Sequence, residues 1–214
     1  MEIIEEIYHK VVEGNISETE NLVKEALNRG VESQDIMNDG FIRALDVVGE
    51  KFSTGEAFLT EMLTSAMAVK SGMEILKPLL VQSDMKSKGT VVAGTVAGDI
   101  HDIGKNMVCM MLEGAGFKVI DLGVDVSGEN FLQAATENKA DIVAMSALLS
   151  TTMGNMAEMV RLIKSAGLQH KVNVLVGGAP VTQSWADAIG ADAAGFDAVD
   201  AVAKARQLVS EAYK

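Results

Sequence analysis

The chain has 214 residues, 48% of them hydrophobic and 22% charged, enough for one large or two small globular domains with cores of their own. A net charge of −12 argues against a polyanion as the main partner, because phosphate backbones are held by clustered Lys and Arg. No apolar run reaches the roughly 20 residues of a membrane span, the start MEIIEEIYHK is too acidic for a signal peptide, and the single Cys109 cannot close an internal disulfide, so the expected compartment is the cytoplasm.

Residues 1–82 carry helical patterning throughout. NISETENLVKEAL opens on Asn15 or Ser17 as candidate N-caps, with Glu18 and Glu20 at the helix's positive end. ESQDIMNDGFIRALDVVGEKF places Ile36, Phe41, Ile42, Leu45, Val48 and Phe52 at three- and four-residue steps. GEAFLTEMLTSAMAVKSGMEILKPLL continues the pattern through Phe58, Leu59, Met62, Leu63, Ala66, Met67, Met73, Leu76 and Leu80. Short Gly- or Asn-containing turns join these segments into a predicted antiparallel four-helix bundle, and Pro78 is expected to kink or shorten the last helix. Most of the 13 methionines are expected to fill core. QSDMKSKG is polar and aperiodic, which predicts an interdomain linker over 83–89.

Over 90–214 short β-branched runs alternate with helices. The strands are TVVAGTV (90–96), KVIDLG (118–123), DIVAMS (141–146), NVLVGG (173–178) and a weak DAAGF (192–196), with helices near 103–115, 128–139, 152–167, 182–189 and 197–212. Strict alternation with near-continuous apolar strands predicts an α/β fold: a five-stranded parallel sheet, doubly wound in the flavodoxin-like order 2-1-3-4-5. Its switch point lies between the first and third strands, outside their carboxyl ends.

The unusual residues converge there. GTVAGDIHDIGKN (94–106) holds Asp99, His101 and Gly104, the third strand ends in Ser146, and the fourth ends in Gly177-Gly178. A carboxylate accepting the proton of one imidazole nitrogen fixes the tautomer and improves the other nitrogen as ligand or base. Ser146 on the adjacent strand can hydrogen-bond that carboxylate. Such a chain serves either a general base or an axial ligand to a metal. Zinc is disfavoured, since His9 and His170 lie far off in sequence without Cys partners, whereas a metal carried in a macrocycle needs one axial histidine. A dinucleotide fits poorly, because G-D-I-H-D-I-G lacks the G-x-G-x-x-G spacing and places two acids where pyrophosphate would lie. The plainer readings are a solvated turn around His101, Asp102 as a helix cap, Ser146 bonded to local backbone, and Gly177-Gly178 as a turn before Ala179-Pro180. Convergence on one sheet edge favours a site.

Taken together, GDIHDIGKNMV, DLGVDV, MSALLSTTM and VGGAPVT resemble the cobalamin-binding domain of methionine synthase and of corrinoid proteins from anaerobic methyltransferase systems, and the bundle resembles their helical cap. The resemblance covers essentially the whole chain. The signature D-x-H-x-x-G, S-x-L, G-G stands here as Asp99/His101/Gly104, Ser146/Leu148 and Gly177/Gly178. It implies a corrinoid cofactor, cobalamin or a relative, whose own lower base His101 replaces on cobalt, with Asp99 bonded to the imidazole and Ser146 to Asp99. Gly98, Ile100, Asp102 and Ile103 would complete the contact loop. Gly104 would leave space for the nucleotide tail, which would run toward Gly177 and Gly178 past Leu148, Thr151 and Thr152. The bundle would lie over the upper face, with Phe58, Leu59 and Met62 near the methyl group, and the linker would be the hinge.

The resemblance further implies a methyl carrier that is not a complete enzyme alone and that alternates between cob(I)amide and methylcob(III)amide. Its implied partners are a substrate-specific methyltransferase, a second methyltransferase acting on coenzyme M or tetrahydrofolate, and an ATP-dependent reductive activase, with no nucleic acid and no membrane. Methylamine or quaternary-amine systems are favoured over methanol or methoxy-aromatic ones. The alternative of another class is a cobalamin-dependent sensor.

Overall fold

The computed structural model describes residues 2–82 and 87–212, so the expected linker over 83–89 falls largely outside the described residues. The chain divides into two compact units.

The first is helical. Helix α1 (Glu2–Val12) buries Ile3, Ile7 and Val11 at helical spacing. Helix α2 (Ile16–Asn28) starts at Asn15, whose side chain accepts the Glu18 N–H at 3.2 Å, and buries Val23 and Ala26. Helix α3 (Ser33–Asp35) runs through a π-helical stretch (Ile36–Ile42) into α4 (Arg43–Thr54), which stops at Gly55 in the left-handed conformation. Helix α5 (Leu59–Gln82) packs on α2 and α4, and α1 packs on α2 and α4, closing a four-helix bundle. Pro78 lies inside α5 on its exposed side and the helix continues to Gln82, so the proline does not shorten it.

The second unit is a five-stranded, all-parallel sheet in the order β2-β1-β3-β4-β5, the doubly wound order that the alternation predicts. The strands are β1 (Thr90–Thr95), β2 (Lys118–Asp121), β3 (Ile142–Ser146), β4 (Asn173–Gly177) and β5 (Ala193–Gly195). They alternate with α6 (Ile103–Gly114), α7 (Gly128–Glu137), α8 (Gly154–Ser165), α9 (Gln183–Ile189) and α10 (Ala198–Ala212). Pleating sends Val92, Val143, Met145, Val174 and Val176 into a core shared with Phe131, Met156, Met159 and Ile163. Val91, Ala93, Ile142, Ala144 and Leu175 alternate with them and are buried too, as a sheet covered on both faces requires. One row of the register, Thr95, Ser146, Gly177 and Gly195, crosses four strands at their carboxyl edge.

Among the described residues no helix is long and apolar enough to cross a membrane. Nine described methionines are buried (Met37, Met62, Met73, Met107, Met111, Met145, Met153, Met156, Met159), whereas Met67 is exposed. The sulfur-rich composition therefore fills core. Met156→Ala, emptying a fully buried site, is expected to cost about 2–5 kcal/mol, and Met67→Ala about 0.5 kcal/mol or less, read from denaturant unfolding followed by far-ultraviolet circular dichroism.

Candidate functional site

The loop between β1 and α6 sits where the crossovers from β1 and β3 leave on opposite faces of the sheet, and Asp99 is its anchor. This carboxylate is fully buried. Its Oδ1 accepts the His101 backbone N–H at 3.1 Å and lies 2.7 Å from His101 Nδ1. Its Oδ2 accepts the backbone N–H of Leu148 at 2.8 Å and of Leu149 at 3.1 Å, and the Thr152 hydroxyl lies 3.0 Å away. Burial pushes the Asp99 pKa up, but the His101 side chain and the backbone N–H groups of His101, Leu149 and Leu148 outweigh it and hold the carboxyl well below the usual carboxylate range. An ionised carboxylate only accepts, so the His101 proton is assigned to Nδ1 and the lone pair to Nε2. The imidazole side chain is 48% exposed, and Nε2 has no hydrogen-bond partner among the described residues.

The rest of the loop is held from three sides. The Thr95 hydroxyl donates to the His101 carbonyl at 3.0 Å. Gly98 N–H donates to Asp125 Oδ1 at 2.7 Å, and Asp125 N–H returns to the Asp99 carbonyl at 3.0 Å. Asn155 Nδ2 donates to the Ala97 carbonyl at 2.7 Å. Asp102 begins α6, its carbonyl accepting the Asn106 N–H at 2.7 Å and its carboxylate the Asn106 side chain at 3.0 Å.

One expected contact moves to another residue. Ser146 closes β3 opposite Thr95 and makes no hydrogen bond to Asp99. Strand pairing stops there, and Asp99 lies four residues beyond Thr95. The chain after Ser146 turns over the carboxylate, presents the Leu148 and Leu149 amides, and returns with Thr152. That hydroxyl, expected to line a channel, is buried at Asp99, while Thr151 is exposed. Thr152 lies in the turn just before α8, four residues ahead of the buried Met156, and that spacing is the sequence signal by which its burial could be found. Phe58 and Leu59, in the helical unit, are exposed, and the Phe58 N–H is held by Glu61 Oε2 at 2.8 Å. Met62 is 1% exposed and belongs to the bundle core.

The surroundings of His101 test which ligand fits. Ile100 and Ile103 flank it with 73% and 78% of their surface exposed, and Leu148 and Leu149 are exposed beside Asp99. Exposed apolar side chains clustered around one nitrogen donor suit a broad, largely apolar ring bearing a metal. Among the described residues no three His, Cys, Asp or Glu side chains come together to hold an ion, so His101 is a single donor. The glycines divide by cause. Gly178 has φ +122°, and a Cβ there would collide with the Ala147 carbonyl, so the fold itself demands glycine. A Cβ at Gly104 would meet nothing within 4 Å, so no neighbour in the chain excludes a side chain at this helical position. Glycine at 104 keeps the surface low beside His101. A corrinoid fits this donor set.

Two B12 binding domain models match the chain, one over residues 89–205 and one over residues 3–77. The chain is 46% identical over 190 residues to trimethylamine corrinoid protein 1 of Methanosarcina acetivorans, covering 88% of each. It is 40% identical to dimethylamine corrinoid protein 3 of the same organism, covering 96% of this chain and 98% of that one. A crystal structure of the methanol:cobalamin methyltransferase complex from Methanosarcina barkeri superposes with a TM-score of 0.86 at 30% identity, over 98% of this chain and 80% of that one.

The shell around Asp99 predicts a contrast between two hydroxyls. Thr152→Val removes a buried donor from a charged acceptor and is expected to cost about 1–3 kcal/mol in denaturant unfolding. Ser146→Ala leaves the carboxylate's partners in place and is expected to cost about 0.5 kcal/mol or less.

Proposed function

Because the chain belongs to the corrinoid proteins built on B12 binding domains, we propose that it is a methyl carrier whose cofactor is held through His101, loaded by a trimethylamine-specific methyltransferase. It would hand the methyl group to a second methyltransferase acting on coenzyme M or tetrahydrofolate, and an ATP-dependent activase would restore oxidised cofactor.

One observation carries the cofactor reading: His101 is turned by a buried, ionised Asp99 so that Nδ1 is bonded and Nε2 is the donor left facing solvent. When bound, the corrinoid supplies a cobalt ion that takes up a methyl group as a nucleophile and releases it to another nucleophile. The chain's own residues set the conditions for that exchange. Asp99 holds the Nδ1 proton and raises the electron density at Nε2. Leu148 N–H, Leu149 N–H and the Thr152 hydroxyl keep Asp99 fixed and charged. Changing electron demand at Nε2 would be passed through the ring to the Nδ1–H···Oδ1 bond, which would strengthen or weaken in response. Ile100, Ile103, Leu148 and Leu149 supply apolar contact that excludes water around the bound ring.

The trimethylamine assignment rests on relatedness: 46% identity to a protein named for trimethylamine, against 40% to one named for dimethylamine and 30% to a chain from a methanol system. Partner specificity is a difference of affinities, so the test is a competition.

Two measurements follow. The chain reconstituted with hydroxocobalamin is expected to be coloured and, reduced to Co(II), to show nitrogen splitting in its electron paramagnetic resonance spectrum. Because the cofactor's own lower base also splits the signal, the chain is labelled with 15N-histidine: the splitting should turn from threefold to twofold, His101→Ala should lose that dependence on the label, and a labelled chain whose splitting is unaltered refutes the ligation. Loading by a trimethylamine methyltransferase is expected to exceed loading by dimethylamine and methanol methyltransferases by about tenfold, roughly 1.4 kcal/mol of transition-state preference. Equal rates refute the substrate assignment and leave the carrier reading intact.

A further inference from the structure

Asp99 orients the imidazole ring but does not by itself fix the height of the main chain that carries it. We infer that a second brace, centred on Lys105 and independent of Asp99, positions the His101 backbone and so sets how far Nε2 projects. Lys105 is a positioning residue in this account, which rests on the axial-ligand reading of His101.

Lys105 lies in the first turn of α6 and its side chain is 4% exposed, which is rare for lysine without partners. Its ammonium is 2.6 Å from both carboxylate oxygens of Asp121 and 2.6 Å from Asn106 Oδ1, so its three N–H donors meet three acceptors. From these partners two routes lead back to His101. On one, Asp121 Oδ1 accepts the Gly123 N–H at 2.9 Å, the Gly123 carbonyl accepts the Thr95 N–H at 2.9 Å, and the buried Thr95 hydroxyl donates to the His101 carbonyl at 3.0 Å. On the other, Asn106 is oriented by Lys105 and donates through its side chain at 3.0 Å to the carboxylate of Asp102, the residue after His101.

The two braces divide the work. Asp99 acts on ring rotation through Nδ1. The Lys105 network acts on the peptide either side of the His101 carbonyl, and it ties that peptide to the end of β2 and the start of α6, both rigid elements. A buried ion pair that only stapled β2 to α6 would not need the continuation through Gly123, Thr95 and the His101 carbonyl. Because an axial bond is sensitive to displacements well under an ångström, loosening this peptide should weaken ligation even with the Asp99–His101 bond intact.

The test uses the full chain labelled with 15N-histidine, loaded with hydroxocobalamin and reduced to Co(II), with the fraction of the signal split by 15N read by electron paramagnetic resonance. Three variants are compared. Thr95→Val is nearly isosteric and removes only the hydroxyl that holds the His101 carbonyl. Asp121→Asn keeps the side-chain volume and the Gly123 contact but loses the charge partner. Lys105→Met empties the centre. In variants with unchanged circular dichroism, the ratio of His-ligated to unligated cofactor is expected to fall about tenfold, the scale of effects seen when groups orienting a metal ligand are removed. The electronic character of the remaining ligated fraction should stay unchanged, because Asp99 still holds Nδ1. Thr95→Val leaves the ion pair untouched and so keeps the test decisive should the other two fail to fold. If folded Thr95→Val retains the unmodified ratio, the brace is refuted while His101 ligation stands. If the unmodified labelled chain itself lacks 15N splitting, the ligation reading falls and the brace with it.

Discussion

A fully buried carboxylate needs hydrogen bonds to remain charged, and Asp99 draws them from two loops that it ties together. Its own loop contributes the His101 amide and ring, and the loop after β3 contributes two amides and a hydroxyl. Losing any one leaves charge in a dry environment, which costs more than the bond itself gains. The two loops are therefore ordered together or not at all. Their meeting depends on β1 and β3 being hydrogen-bonded neighbours with Thr95 opposite Ser146. Because the folded pKa of Asp99 lies below the ordinary carboxylate range, the stabilisation is present at every pH above that range. It is lost only as pH falls through the depressed value.

The same register row shows how the sheet makes room. Ser146 and Gly177 stand opposite each other, and just beyond them the Gly178 backbone passes so close to the Ala147 carbonyl that no side chain could be accommodated. Ala147 N–H also donates to the Gly177 carbonyl at 3.1 Å, extending the β3–β4 pairing past the strands. Gly178 therefore answers to the fold, whereas Gly104 has open space around it and no neighbour in the chain that demands glycine.

Much of this was legible in the sequence because it rests on periodicity. Alternating apolar runs gave the strand order, and strand order placed Asp99, His101 and Gly178 on one edge. The wider turn at Ile36–Ile42 was not legible, since its apolar positions also satisfy an ordinary helix. Nor did Pro78 end α5 as its chemistry suggests. Ser146 and Thr152 were exchanged for an instructive reason. Adjacency between strand ends is a statement about backbones, whereas the hydroxyl that reaches Asp99 is delivered by the turn before α8, six residues further on. Lys105 left little trace in the pattern, because a lysine in the first turn of a helix ordinarily reads as solvated.

The loop after the first strand of a doubly wound sheet commonly offers its amides and a helix N-terminus to a ligand's phosphates. Here the anion belongs to the protein: Asp99 consumes the amides of His101, Leu148 and Leu149 that a phosphate would otherwise take. With those donors spent internally, what remains on the surface is one imidazole nitrogen surrounded by Ile100, Ile103, Leu148 and Leu149. An anionic ligand would find those three backbone donors occupied and a buried negative charge beneath it. A macrocycle carrying a metal would meet a nitrogen donor and apolar side chains that gain by being covered. Turning the carboxylate inward thus leaves a nitrogen donor at the sheet edge in place of an anion-binding loop, and it needs no change in the sheet that carries it.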